Sequence, residues 1–403
     1  MRKIGVWIVG ALGSISVTVI VGALAARKGM LDNSGMVTAT TDFDGLDLVP
    51  VEALEFGGCD VRPGSLVDSA VQLRREAGGI DPGIIQSLEK DLESIEQHIS
   101  SGTILNSGEA IGRLAPAHAA TGMSVREEID QIVKRLNEFK LSNQFQDVVV
   151  VNLASTEPPL ELKDCHEKIS TFEDCIDRNN RGVLRASTIY SYAAIKAHCP
   201  YVNFTPSNGA LFPAIVELAE RNGVPVMGND GKTGETLVKS ALAPMFKCRN
   251  LEILGWEGFN ILGNMDGKIL DHPENKQSKI NSKDAVLSKI LGYSPHSQVH
   301  INYTPSLADQ KTAWDFIHFK GFLGAKMSLQ FIWQGYDSLL AAPLVLDLVR
   351  LMELAHRRGE AGPAPHLASF FKDPLGSSEH GFNNQYQMLM DYCQKAGQSS
   401  KDA

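Results

Sequence analysis

Apolar and polar positions alternate along the chain on two different periods. Ile4 to Val9 is a run of β-branched and aromatic residues broken only by Gly5, the composition of a strand buried on both faces. A glycine-containing turn, Gly10-Ala-Leu-Gly-Ser-Ile-Ser16, follows, and Val17 to Ala26 continues as an apolar helix. Further short apolar runs at Leu54 to Val61, Val148 to Leu153 and Val224 to Met227 predict strands of the same sheet. Helical periodicity fills the intervals at Pro82 to Ile99, Val125 to Phe139, Thr188 to Ala197 and Pro213 to Arg221. Strands alternating with helices predict an α/β fold, a Rossmann-type doubly wound parallel sheet.

The pattern changes after Thr236. Between Lys311 and Gly335 short alternations place Met327, Leu329, Phe331 and Trp333 on one side, as in a sheet with one buried face. From Asp337 a long apolar helix runs through Leu354 and stops at the arginines and the Pro/Gly-rich stretch 361–365. The expected organisation is therefore a dinucleotide-binding domain of residues 1–236 and 338–403. An α+β domain of residues 237–337 is expected as an insertion into it.

Composition narrows the class. With 38 basic and 47 acidic side chains the formal charge is -9, against sequence-independent binding to nucleic acid. An anionic small molecule would need only a local group of cations. The six cysteines form no CxxC pair and the eleven histidines no HExxH, so neither a zinc knuckle nor a disulfide framework is expected. Reduced thiols suit a cytoplasmic protein. Met1 to Ala26 has the outline of a secretory leader, but Gly10, Gly13, Ser14 and Ser16 interrupt it in the manner of a strand turning into a helix. No membrane association is expected.

A glycine turn before a helix N-terminus presents unpaired N–H groups to a pyrophosphate. In this turn Gly10 and Gly13 hold, while Leu12 and Ser16 stand where a glycine-rich phosphate loop would carry further glycines. Gly10, Leu12, Gly13, Ser14 and Ile15 are the candidate phosphate contacts. Asp60, after Gly57-Gly58, is the candidate for the ribose hydroxyls, lying beyond the usual spacing of about 20 residues because of an insertion between Lys28 and Val49. Gly231-Lys232-Thr233 lacks the earlier glycine of a P-loop, since position 226 is valine. Ser155 and Thr156, with Glu157 and the stretch Thr205 to Asn208, sit where strand ends line a dinucleotide crevice.

Ordered motifs carry the rest. Gly258-Phe-Asn-Ile-Leu-Gly-Asn-Met-Asp-Gly267 resembles the SYNHLGNNDG segment of the myo-inositol-1-phosphate synthase family, and Gly228-Asn-Asp-Gly-Lys-Thr-Gly-Glu-Thr236 its GDDFKSGQT segment. Ser278-Lys-Ile-Asn-Ser-Lys283 is similar to SKEISK, Asp309-Gln-Lys311 to DSK, and Asp337-Ser-Leu-Leu-Ala-Ala-Pro343 to DSLLATP. The family's GxGGNNG loop is represented by a turn without its asparagines and last glycine.

The resemblance implies an NAD-dependent isomerase that oxidises glucose 6-phosphate at C5, closes the C6 enolate onto the C1 aldehyde and reduces the product to an inositol monophosphate. It implies Lys279, Lys283, Lys311 and Lys372 as catalytic residues. Lys279 would move the C5 hydroxyl proton, Lys311 and Lys372 would stabilise the C1 oxygen, and Lys283 would hold the phosphate side or the cofactor. Burial and neighbouring cations suit lysine to such work. Asn260, Leu262, Gly263, Asn264 and Lys232 become substrate contacts, and Asp230, Thr233, Asp266, Asp337 and Ser338 neighbours of the nicotinamide end. A divalent or monovalent cation, a homotetramer, and a catalytic and oligomerising role for the inserted domain 237–337 are further implications. A Rossmann dehydrogenase, or a divergent cyclase acting on another sugar phosphate, are the competing readings.

Overall fold

The computed structural model describes residues 2–77, 80–115, 122–264, 267 and 286–399. Ile4–Val9 is β1, buried at every position, and Ser14–Arg27 is α1. Leu54–Asp60 (β2), Leu66–Ala77 (α2), Pro82–Glu96 (α3), Ile99–Ser101 (β3), Glu109–Gly112 (α4) and Val125–Ser142 (α5) follow. Then come Asp147–Asn152 (β4), Ile169–Asp177 (α6), Ala186–Lys196 (α7), Tyr201–Asn203 (β5), Pro213–Arg221 (α8) and Pro225–Met227 (β6). The helix ends follow local chemistry. Asp81 accepts from the Gly83 N–H ahead of Pro82, and Ser124 and Glu127 form a capping box at the start of α5.

These strands, with Gly362–Pro363 (β11), make one seven-stranded sheet in the order β11-β6-β5-β4-β1-β2-β3. Every pairing in it is parallel, with β1 hydrogen-bonded to β2 on one side and β4 on the other. The order reverses at β1, so the chain leaves β1 and β4 in opposite directions and opens a crevice at their carboxyl ends. The short strands β3, β5 and β11 escape periodicity because each spans three residues or fewer.

After β6 the chain leaves this sheet. Glu235–Cys248 (α9) packs against Glu252–Leu262 (β7), which joins His296–Tyr303 (β8), Gln310–Lys320 (β9) and Lys326–Tyr336 (β10) in a second sheet ordered β10-β9-β7-β8. Its pairings are mixed: β7 with β8 is parallel, and β9 is antiparallel to both neighbours. One face buries Trp256, Ile253 and Ile317 against Ala243 and Phe246 of α9 and residues of the helical segment 286–291. The expected alternation in β10 is present, but its inward positions are only half-buried, and Met327 is exposed.

Asp337–Arg357 (α10) returns to the first sheet and packs on α1, and Phe382–Ser399 (α11) closes the chain. The inserted stretch between α1 and β2 is docked on α10. Buried Asp347 accepts from the Val37 and Thr38 N–H groups at 2.6 and 3.2 Å, and Arg350 donates to the Val49 carbonyl at 2.7 Å. No helix among the described residues is long and apolar enough to cross a membrane. All six cysteines are free.

Candidate active site

A cleft of about 220 Å³ opens where the sheet order reverses, and it runs from the glycine turn to the facing end of the second sheet. At the first end, Gly10 and Ala11 donate backbone N–H groups to the Cys59 carbonyl at 2.8 and 3.0 Å, fixing the turn across β2. Gly10 has φ of +84°, and a Cβ there would lie 2.8 Å from Ala154 Cα, so glycine is required by both conformation and space. Ser16, standing at the last glycine position, donates its hydroxyl to the Gly10 carbonyl at 2.7 Å and tightens the same turn. No side chain caps α1 and its first turn holds no acid, so its leading N–H groups are open to an anion. Gly10, Gly13, Ser14 and Ile15 line the cleft.

Asp60 ends β2 and also lines it. Its two oxygens accept from the Leu12 and Arg62 N–H groups, each at 2.8 Å, and the Arg62 guanidinium donates back to the Leu12 carbonyl. Leu12 is corrected by this arrangement: its side chain is buried in the core and its N–H is spent on Asp60, so it does not face the cleft. The loop after β4 brings Ser155, Thr156 and Glu157 to the middle of the cleft. Glu157 accepts from the Ser187 N–H at 3.0 Å and from its hydroxyl, and burial pushes its carboxyl above the usual range.

The other end is built from chain segments far apart in sequence. Lys311 at the start of β9 lies 3.1 Å from Asp337, the first residue of α10, and Thr233 donates to the same carboxylate at 3.5 Å. Lys372 pairs with Asp230 at 2.8 Å, both buried. Asp309 accepts from the Ser338 hydroxyl at 2.5 Å and from the Asn264 amide at 3.5 Å. Burial pushes Asp309 up to about 6, assisted by the charge of Asp337. All of these residues line the cleft.

Not every expected contact reaches it. Lys232 is buried away from the cleft and donates to Gln385 on α11. Asn260 and Leu262 lie on the buried face of β7 and, like Gly263, are not cleft walls. The Asn260 amide has no hydrogen-bond partner among the described residues. Lys279, Lys283 and Asp266 lie outside the described residues. Conversely Arg62, Thr103, Ser187 and Tyr190 line the cleft without having been singled out. The signal for two of them was the run of hydroxyl side chains in α7, buried from Ala186 to Ile195. No cluster of potential metal ligands occurs among the described residues.

A parallel doubly wound sheet, an uncapped helix end at its crevice and paired lysines opposite define a dinucleotide-binding enzyme class that works on a small anionic substrate. The family model described as myo-inositol-1-phosphate synthase, an NAD-binding family, matches residues 4–394, and the chain belongs to this family. The inositol-3-phosphate synthase 1 of Bacteroides thetaiotaomicron is 35% identical over 397 residues, covering 94% of this chain and 91% of the relative. A crystal structure of inositol-3-phosphate synthase from Caenorhabditis elegans is similar with a TM-score of 0.88 at 25% identity, covering 98% of this chain and 86% of the other. A myo-inositol-1-phosphate synthase-related protein from Thermotoga maritima gives a TM-score of 0.80 at 26% identity, covering 98% and 99%.

Proposed function

We propose that this chain converts glucose 6-phosphate to an inositol monophosphate, with NAD reduced and reoxidised within one turnover. The observation that carries the reading is the facing of Lys311 and Lys372, each on an aspartate, across the cleft from an open helix N-terminus. Bound NAD would supply the hydride acceptor, and in reduced form the hydride donor, for the chemistry at C5. Gly10, Gly13, Ser14 and Ile15 would hold the pyrophosphate, Asp60 the ribose, and Ser155, Thr156, Asp230, Thr233, Asp337 and Ser338 would surround the reactive end.

The chemistry develops negative charge on oxygen at oxidation and at ring closure. An ammonium held in a dry cleft stabilises such charge more than water does, because no dipoles must reorganise as it forms. Lys311 and Lys372 would bear on the C1 oxygen during closure, and their aspartate partners keep both side chains extended into the cleft. Lys279 would carry the C5 hydroxyl proton, Lys283 would hold the phosphate side or the cofactor, and Asp266 would belong to the nicotinamide end. Asn264, which lines the cleft, would shape the substrate end. A divalent or monovalent cation near the substrate phosphate belongs to the proposal without assigned ligands.

Incubation with glucose 6-phosphate and NAD, followed by phosphorus NMR, is expected to show an inositol phosphate with no net NADH. Steady NADH accumulation would support a dehydrogenase instead, and absence of the product under varied cations would sink the cyclase reading. We extend the proposal to a cytoplasmic homotetramer. Phe322 and Leu323, 88% and 90% exposed, and Ile332 suit burial between subunits, which light scattering would test.

A further inference from the structure

Two separate segments are zippered into a ribbon at the lysine end of the cleft. Asn229 donates to the Asp373 carbonyl at 2.7 Å and Asp373 returns a bond at 3.2 Å; Lys372 donates to the Asp230 carbonyl at 2.8 Å, and Lys232 to that of Phe370 at 2.8 Å. Gly231 bridges Phe371, and a Cβ at Gly231 would strike the Phe204 ring at 2.1 Å, so the ribbon is pressed flat onto the first sheet. Asp230 and Lys372 present their side chains to the cleft. Lys232 does not.

The Lys232 side chain is 3% exposed and passes behind the ribbon, where its ammonium donates to Gln385 and lies 5.9 Å from the centre of the Phe382 ring. Gln385 is fully buried and is itself held by donation to the Glu379 carbonyl at 2.6 Å. No carboxylate of the described residues forms an ion pair with Lys232. A buried cation fixed by one neutral acceptor, directly behind a cationic cleft wall, is costly for folding alone. Replacement by an apolar residue would serve packing better.

We propose that Lys232 is a positioning residue of the cleft: anchored by Gln385, it holds the Asp230–Lys372 ribbon from behind and adds positive potential for an anionic substrate. Burial, then the charge of Lys372, pushes Lys232 down to about 7, with Glu379 opposing. The charged groups facing this region are Lys372, Asp230 and Asp373 on the ribbon, Glu379 and His380 before α11, and Lys289, which pairs with Asp373 at 3.5 Å. An anion arriving beside Lys372 therefore favours the protonated form of Lys232, and its affinity rises as pH falls through that range.

The test compares Lys232→Met with wild type at pH 6.5 and 8.5, using the KM for glucose 6-phosphate and the affinity for NAD. The KM ratio of variant to wild type is expected to be roughly tenfold at the lower pH and to approach one at the higher, with NAD affinity unchanged. The ratio cancels titration of the substrate phosphate. Lys232→Gln keeps a donor for Gln385 while removing the charge, and the same pH pattern is expected from it, so misfolding of one variant leaves the other decisive. A ratio that is constant with pH, or one throughout, in a folded variant overturns the proposal. The substrate identity rests on the cyclase reading. Should wild type leave glucose 6-phosphate unchanged, that reading fails separately, and calorimetry with inorganic phosphate carries the same comparison.

Discussion

Gly10→Ala isolates the geometry that makes the nucleotide end of the cleft. The residue holds φ of +84°, where a side chain costs about 1–2 kcal/mol. Its Cβ would also lie 2.8 Å from Ala154 Cα and 3.0 Å from Ala154 N, against the 3.5–4.0 Å usual between carbon atoms. Both obstructing atoms are backbone. They cannot swing aside, because Leu153 donates to the Val9 carbonyl at 3.0 Å and Gly10 itself to Cys59 at 2.8 Å. Overpacking of this kind costs about 1–3 kcal/mol, giving roughly 2–5 kcal/mol in all. Relief requires the turn to move off β4, carrying the N-terminus of α1 away from the pyrophosphate, so NAD affinity is expected to fall roughly tenfold or more. Urea denaturation of the cofactor-free protein and fluorescence titration with NAD measure the two effects. A variant within 1 kcal/mol of wild type (about the smallest change such a strain argument allows) that binds NAD within threefold would refute the reasoning.

Other perturbations probe the remaining structure. Lys311→Met and Lys372→Met should each lower kcat by roughly a hundredfold or more while NAD still binds; single-turnover assays showing either within tenfold would remove that lysine from the catalytic set. Asp309 has a folded pKa raised to about 6, so its contribution to stability is full below the unfolded carboxylate range and is lost as pH rises through about 6. Relative to Asp309→Asn, wild type should therefore lose stability between pH 4 and 7, and a flat difference in denaturation midpoint would contradict the assignment. Asp347→Ala strips the Val37 and Thr38 N–H groups and the Thr38 hydroxyl of their buried acceptor and removes the charge near Arg350, and a loss of about 2–4 kcal/mol is expected. Proteolysis should then cut the stretch around Val37 sooner, whereas an unchanged cleavage pattern would show that α10 does not hold it.

The chain's own pattern determined the doubly wound sheet, because strands buried on both faces must read as largely apolar runs and β1 and β4 do. It also determined that a glycine turn meets a helix, and that the motif carrying Lys311 falls in order with those at 228–236, 258–267 and 337–343. Strands β3, β5 and β11 were illegible, since so few residues show no period, and in α7, a helix buried all round, the run of hydroxyls did not show which of them would meet the cleft. Only the tertiary structure decided which side chains converge. Leu12 and Lys232 sit one residue from true cleft walls, yet the backbone sends the first into the core and the second behind the ribbon. Sequence spacing fixes neighbours along the chain; the direction of a side chain in an irregular turn depends on φ, ψ and on segments, here residues 370–373 and α11, that arrive from far away. The lysine–aspartate pairs join positions 311 with 337 and 230 with 372, and that pairing exists only once both sheets are built.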